Sequence, residues 1–154
     1  DAAPEELEKV KGVGEHAAVL LKCVKELSGR YLTSRASLDG IVEDTRTACA
    51  LLRPYFFGAR NERVCVLCMD GKRKALGVRP VGEGNVNAVE VTSRRIAVAH
   101  NHVSGLAFPS MEDKLTTRQL AELLARLGVE LVDHIIFTDD DAVSLRDSGF
   151  FAVI

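Results

Sequence analysis

The sequence predicts an α/β fold, with a small helical hairpin ahead of the main domain. Short apolar runs bounded by turn residues, such as 64–69 and 96–99, are typical of buried strands. Longer segments with apolar residues at helical spacing, such as 17–27 and 111–127, are typical of amphipathic helices. The chain has 154 residues, of which 47% are hydrophobic, and this suffices for one core with a small appendage.

Residues 1–31 predict two helices joined by a glycine-containing turn. Pro4 followed by acidic residues favours a helix start. Two interpretations of the turn Gly12-Val13-Gly14 stay open: a structural pair of helices, or an element that resembles a helix-hairpin-helix, in which backbone amides face a DNA phosphate. We favour the structural pair, because the acidic side chains nearby oppose a polyanion. Residues 32–43 are polar and rich in turn-forming types, so we expect a linker there.

The remaining residues, 44–154, predict the main domain. Asp44 is expected to cap a helix that runs to about Leu52. A second helix should begin after Ser110 and end at Gly128, with its apolar face formed by the leucines of that segment. The predicted strands cover residues 64–69, 75–78, 96–99, 130–137 and 142–145.

The stretch 100–113 contains the residues that point to chemistry. His100 and His102 are two residues apart at the end of a predicted strand, so their side chains point to the same face. A loop then leads to Ser110, which has the position of a helix N-cap, with Asp113 in the first turn. If the loop folds back, two imidazoles and one carboxylate form the protein half of an open zinc site, with water in the fourth position.

The same residues also have explanations that need no metal. Ser-x-x-Asp before a helix is a variant of the capping box. Two histidines on one strand can be surface residues or hydrogen-bonded core residues. Contiguous His-Asn-His is not by itself the sign of an HNH nuclease, in which these three residues are spread over a longer segment. Cysteines at positions 23, 49, 65 and 68 are expected to be reduced and packed in apolar surroundings.

Composition argues against several classes of protein. The net charge of −2 gives no global attraction to nucleic acid. No apolar run approaches the roughly 20 residues of a membrane span, and no secretory signal pattern is present. We therefore expect a cytoplasmic protein with no membrane partner.

The motif His100-Asn101-His102-Val103-Ser104-Gly105, continued by Pro109-Ser110 and Asp113, resembles the signature of the RadC-type JAB domain. This family is a branch of the JAMM (MPN+) metalloprotease superfamily, and its pattern is H-N-H-P-S-G-D-x-x-P-S-x-x-D. The chain departs from it at Val103 and Leu106, and neither departure removes a ligand. The resemblance covers nearly the whole chain. It implies a mixed central sheet flanked by helices, as in JAMM and cytidine-deaminase-like folds.

The resemblance also implies roles for individual residues. Zn²⁺ would be held by His100, His102 and Asp113. Glu62, at the start of the pattern Glu-x-x-x-x-Leu, would be the general base, with Glu83 and Glu90 as competitors. Ser110 would help to hold the carbonyl oxyanion, although this role competes with helix capping. His134 would be a hydrogen-bonding partner rather than a ligand.

One segment is shorter than the family pattern. The family has a helix between a segment ending in Arg-Glu-Ile and the strand that carries the histidines. Here Arg95 replaces the Glu, and Ile96 is followed directly by Ala97. A parallel crossover usually needs about 10–12 residues. Two explanations stay open: the sequence skips a segment of the natural chain, or the chain is a diverged or shortened member.

The function that the resemblance implies is zinc-dependent hydrolysis of a peptide or isopeptide bond in an unknown peptide or protein substrate. The alternative is a DNA-associated repair or recombination factor with a regulatory or idle site, because the family name comes from DNA repair. A third hypothesis is an interaction module similar to the metal-free MPN domains, which lack the ligands that this chain has. Association with a second copy of the chain, as a homodimer, also stays open.

Overall fold

Residues 2–35, 40–59, 61–81 and 94–151 are described by the structure, which is a computed structural model. The chain divides into two compact units, Asp1–Ala36 and Ser37–Ile154. This division falls within the segment 32–43 that the sequence analysis assigned to a linker. The domain limits proposed from the sequence stay predictions.

The first unit contains the predicted pair of helices, α1 (Pro4–Leu7) and α2 (Glu15–Arg35). Gly12 in the connecting turn has φ +92°, a conformation that residues with a side chain rarely adopt. Helix α2 is longer than predicted and includes the first residues of the expected linker. No Pro or Gly interrupts residues 30–35, and the Thr33 hydroxyl donates to the Gly29 carbonyl one turn back.

The second unit is built on a five-stranded mixed sheet with strand order β2-β1-β3-β4-β5. Strands β3 and β4 are parallel, and the other neighbouring pairs are antiparallel. The α/β fold with a mixed sheet is therefore confirmed. The strands are β1 (Val64–Met69), β2 (Ala75–Val81), β3 (Arg95–Asn101), β4 (Glu130–Phe137) and β5 (Ala142–Ser144).

The last part of the expected linker belongs to this sheet. Ile41 forms an isolated antiparallel bridge with Lys74, and the Val42 amide donates to the Arg73 carbonyl at 2.9 Å. Val42 is also buried. This short extended segment could not be predicted from the sequence. Two residues are too few to show an alternating pattern, and their neighbours are polar and turn-forming.

The sequence analysis expected a missing helix directly after Ile96, but Ile96 and Ala97 lie within one strand, so the crossover precedes β3. Strands β2 and β3 both pair with β1 in antiparallel fashion, so they are parallel to each other, and residues 82–94 join them. Residues 82–93, including Glu83 and Glu90, lie outside the described residues. Strand β3 is continuous through Ile96 and Ala97, with a register shift against β4 between these two residues.

Helices pack against the sheet at residues that the structure places in the core. Helix α3 (Thr45–Leu52) begins as predicted at Asp44, whose Oδ1 accepts from the Thr47 amide at 2.8 Å. A 3₁₀ turn follows, in which Phe56 is buried and stacks on Phe137 with ring centroids 4.9 Å apart.

The buried face of helix α4 (Met111–Arg126) matches the predicted one only in part, because Leu120 and Leu124 pack against the core. Thr117 and Ala121 are its buried residues, whereas Leu115, Leu123 and Leu127 are exposed. Small side chains at positions 117 and 121 permit close approach to the sheet. Ala121 joins Val98, Leu131, Ile136, Leu145 and Phe151 in one hydrophobic cluster.

The cysteines only partly follow the sequence analysis. Cys65 and Cys68 are buried in β1, as expected, and Cys49 is partly buried. Cys23 is exposed, which corrects the expectation that all four lie in apolar surroundings. Across the described part of the chain, no helix is long and apolar enough to span a membrane.

Candidate metal centre

The candidate site lies at the carboxyl end of β3. His100 belongs to this strand, and His102 follows its last residue. The His102 amide donates to the Phe137 carbonyl at 2.9 Å, so pairing with β4 continues past the end of the strand. Both histidine backbones are therefore held by the sheet, and their side chains point to the same face.

His100, His102 and Asp113 each offer a ligand atom, and these atoms all lie within 4.8 Å of one another. The two Nε2 atoms are 2.9 Å apart. Asp113 Oδ1 lies 3.3 Å from His100 Nε2, and Asp113 Oδ2 lies 3.5 Å from His102 Nε2. The structure thus brings together the three residues that the sequence analysis proposed as ligands.

Asp113 is held in place by a capping box at the start of α4. Its Oδ2 accepts from the Ser110 amide at 2.8 Å and from the Ser110 hydroxyl at 2.5 Å, while the Asp113 amide donates to Ser110 Oγ at 3.0 Å. Burial raises the pKa of Asp113, but the hydrogen bonds from Ser110 and the two histidines together lower it below the usual value. Asp113 is therefore ionised at neutral pH.

The same contacts define the state of Ser110. Its hydroxyl donates to Asp113 Oδ2 and accepts from the Asp113 amide, so it performs the capping role in this structure. Asp113 Oδ1 faces His100 instead. The oxyanion role of Ser110 stays a prediction.

His102 is oriented by the loop that follows it. The Leu106 carbonyl lies 3.0 Å from His102 Nδ1, and a carbonyl only accepts hydrogen bonds. Nδ1 therefore carries a proton, and in the neutral ring Nε2 has the lone pair. Gly105 permits the return of this loop, because its φ of +80° is unfavourable for other residues.

His100 is buried and has a second histidine behind it. His134 Nε2 lies 2.8 Å from His100 Nδ1, and Thr117 Oγ1 lies 2.6 Å from His134 Nδ1. Burial lowers the pKa of His134 to about 4 and also lowers the pKa of His100. Both rings are therefore neutral at pH 7, and His134 contacts a ligand rather than joining the cluster.

This donor set fits a zinc ion. Zinc binds unprotonated imidazole nitrogens and carboxylate oxygens, and three such ligands with an open fourth position are typical of catalytic sites. The two Nε2 atoms lie 2.9 Å apart, close enough for both to face one cation. The three side chains therefore form a group that could hold a metal ion.

Glu62 lies just before β1, which pairs with β3. Val64 is opposite His100, so continuing the antiparallel register by two residues places Glu62 opposite His102. The negative charge of Glu62 is among the influences that raise the pKa of His100 against the larger effect of burial. Glu62 is therefore near enough to His100 to act on its pKa, and its catalytic role stays a prediction.

Asn101 has a structural role that the sequence analysis missed. Its Oδ1 accepts from the Arg63 amide at 2.7 Å, and its Nδ2 donates to the Asn61 carbonyl at 3.2 Å. These bonds hold the backbone on both sides of Glu62 next to the end of β3. The signal in the sequence was its position between two ligands, on the opposite face of the strand.

Comparisons with known proteins point to one family. A family model described as a RadC-like JAB domain matches residues 42–150. A UPF0758 protein of Enterococcus faecalis is 30% identical, and the match covers 98% of this chain and 70% of that protein. A UPF0758 protein of Shouchella clausii is 30% identical over 100% of this chain and 72% of its own length. A UPF0758 protein of Methanosarcina barkeri is 32% identical, and the match covers 94% of this chain and 68% of that protein.

Proposed function

This chain belongs to the RadC-like JAB domain family, and from that premise we propose that it is a zinc-dependent hydrolase that cleaves an amide bond in a peptide or protein. The observation that most supports the proposal is the convergence of His100, His102 and Asp113 within 4.8 Å. Two imidazoles and one carboxylate leave a coordination position open, which is the difference between catalytic and structural zinc sites.

Zinc bound there would act as a Lewis acid and would lower the pKa of a water molecule to about 7. The protein residues then have separate tasks. Glu62 accepts the proton of the attacking water and delivers it to the leaving amine, as a general base that becomes a general acid. The contacts of Asn101 with residues 61 and 63 hold the backbone around Glu62 at the end of β3, which supports this role.

Ser110 is proposed to stabilise the oxygen of the carbonyl group under attack. For this role its hydroxyl hydrogen turns away from Asp113 toward the substrate. The Ser110 amide still donates to Asp113 Oδ2 at 2.8 Å, so the carboxylate keeps one hydrogen bond during that change. Ser110 can therefore exchange partners without releasing Asp113.

Hydrolysis of a pool of quenched fluorescent peptides, together with a model isopeptide, tests the proposal. The metal-free protein should be inactive, and added zinc should restore cleavage. Glu62→Gln should lower the rate by about 10²–10⁴-fold, the usual contribution of a general base, while zinc binding persists. Glu122→Gln, at an exposed position of α4, is the matched control and should keep full activity. Cleavage that is equally fast in Glu62→Gln, or that needs no zinc, contradicts the proposal.

A further inference from the structure

We propose that Thr117 and His134 are positioning residues that fix the tautomer of His100, and thereby decide which of its ring nitrogens faces the metal. The proposal rests on the zinc site described above and adds two residues to it. Neither residue offers an atom to the ligand cluster. They act through a line of hydrogen bonds that starts at the backbone of one ligand, Asp113, and ends at the side chain of another, His100.

The first step concerns the single hydrogen of the Thr117 hydroxyl. This hydroxyl donates to the Asp113 carbonyl at 2.5 Å, and that oxygen can only accept. The hydroxyl oxygen also lies 2.6 Å from His134 Nδ1. Because its only hydrogen is already given to Asp113, Thr117 must accept from this nitrogen. His134 therefore carries its proton on Nδ1.

The second step passes this arrangement to His100. His134 is buried in β4, which favours the neutral ring, and a neutral ring protonated on Nδ1 has its lone pair on Nε2. His134 Nε2 lies 2.8 Å from His100 Nδ1, so His100 must donate from Nδ1. His100 Nε2 is then the lone-pair atom. It is also the atom that lies 3.3 Å from Asp113 Oδ1.

All groups in this line of hydrogen bonds are uncharged, so the line adds no negative charge to the metal site. Outer partners of metal-bound histidines are often carboxylates or backbone carbonyls, which fix the tautomer and raise ligand basicity. In this protein a neutral imidazole has that place for His100. It orients the ring without bringing a second negative charge beside Asp113, so more of the positive charge of a bound zinc ion remains to polarise a substrate carbonyl.

The tautomers can be measured in metal-free protein by long-range ¹H–¹⁵N correlation spectra of ¹⁵N-histidine. The parent protein should show His134 and His100 protonated on Nδ1. Thr117→Val keeps the shape of the side chain and removes the acceptor, so His134 and His100 should both show a mixture of tautomers. Thr117→Ser should restore the parent spectrum. Thr33→Val is the control, because the Thr33 hydroxyl also donates to the carbonyl four residues earlier in its helix, α2. This variant should leave the tautomers of both rings unchanged.

Zinc affinity, measured by competition with a chromophoric chelator, is the second readout. Thr117→Val and His134→Phe should weaken binding by about 10–100-fold, the usual effect of removing an outer partner. Thr117→Ser and Thr33→Val should bind as the parent does. A parent spectrum that shows His134 protonated on Nε2 overturns the proposal. Zinc affinity that is equal in the parent and in Thr117→Val also overturns it, and so does a parent protein that binds no zinc.

These measurements need no substrate, so they separate the two proposals. A protein that shows the expected tautomers and loses zinc affinity in Thr117→Val, yet cleaves no amide bond, retains the positioning role and loses the hydrolase assignment. A zinc-dependent amidase whose affinity and tautomers are unchanged in Thr117→Val retains the hydrolase assignment and loses the positioning role.

Discussion

Each histidine of the candidate site has a hydrogen-bonding partner on the ring nitrogen that faces away from the cluster. For His102 this partner is the Leu106 carbonyl, and for His100 it is the ring of His134. A neutral imidazole has a single N–H, so a donor bond from Nδ1 leaves the lone pair on Nε2. The two lone pairs and the Asp113 carboxylate are thus prepared before a cation arrives, which lowers the reorganisation that binding requires.

Asp133, on the opposite face of β4 from His134, gives a prediction about pH. Burial raises its pKa above 3.8, although Ser144, Arg146 and the His134 amide donate hydrogen bonds to it. Its folded pKa exceeds the unfolded one, so the folded state binds more protons between these values. Stability from this group is present below pH 3.8 and is lost as pH rises through the folded pKa.

Asp133→Asn should remove that pH dependence. Relative to the parent, the variant should therefore gain free energy of unfolding as pH rises from 3.8, as measured by urea unfolding at several pH values. The amide can still accept from the backbone and donate to Ser144 after its hydroxyl turns. Asp140→Asn, at an exposed position, is the control and should follow the parent. A constant difference between Asp133→Asn and the parent across this range contradicts the prediction.

At this scale, residue types and their spacing were sufficient to propose the ligands. His100 and His102 had to share a face because side chains alternate along a strand, and Asp113 had to lie in the first turn after its cap. The hydrogen bonds of Asn101 and Thr117 could not be predicted. They depend on which distant segments, residues 61–63 and β4, lie beside them, and sequence spacing does not contain that information.

At the scale of elements, the site depends on where α4 begins. Ser110 caps the helix and also donates two hydrogen bonds to the Asp113 carboxylate, so the same residue fixes the start of the helix and the position of the carboxylate. The parallel pair β3 and β4 supplies the other side, with His100 and His134 in neighbouring strands. A shift of α4 along β4 would break the contacts of both Asp113 and Thr117.

Ser110→Ala tests this dependence. Loss of an N-cap hydroxyl should lower the free energy of unfolding by about 1 kcal/mol. The same change removes a hydrogen bond from Asp113 Oδ2, so zinc affinity should fall as well. Urea unfolding and chelator competition measure the two effects. Ser104→Ala, an exposed position in the preceding loop, should change neither. A stable Ser110→Ala protein with unchanged zinc affinity would show that the cap does not position the carboxylate.

The extent of each element was harder to predict than its existence. The predicted helices and strands are present. The buried face of α4 is centred on Thr117 and Ala121, and of the predicted leucines Leu120 and Leu124 pack against the core while Leu115 and Leu123 are exposed. Hydrophobicity indicates which residues favour burial. Which face of the helix packs on the sheet depends on the space between helix and sheet. The small side chains of Thr117 and Ala121 allow α4 to lie close to the sheet. Likewise, α2 continues through Gly29 to Arg35, although a glycine in a helix interior is unfavourable and the predicted helix ended at residue 27.

At the scale of the whole molecule, charge separates the two classes of function weighed from the sequence. The net charge is −2, and proteins that bind nucleic acid usually neutralise several phosphates with basic side chains. The positive φ of Gly12 fits a helix-to-helix turn of either kind, so it does not favour DNA binding over a structural role. Electrostatics is therefore the property to test.

Filter binding of a duplex DNA at several salt concentrations provides that test. We expect no retention at about 150 mM salt and only a shallow dependence below it, because few counterions would be released from the DNA. A basic DNA-binding domain assayed in parallel shows that the filters detect binding. Retention at 150 mM with a steep salt dependence would contradict the expectation and would support a DNA-associated function.

The central claim is that His100, His102 and Asp113 together hold one zinc ion, and the zinc content of the protein tests it most directly. After removal of metal, reloading with zinc and desalting, we predict one zinc per chain. His102→Ala should lose most of it, while His16→Ala, the histidine of the other compact unit, should retain it. Zinc that is absent from the parent protein, or bound equally well by His102→Ala, would contradict the account.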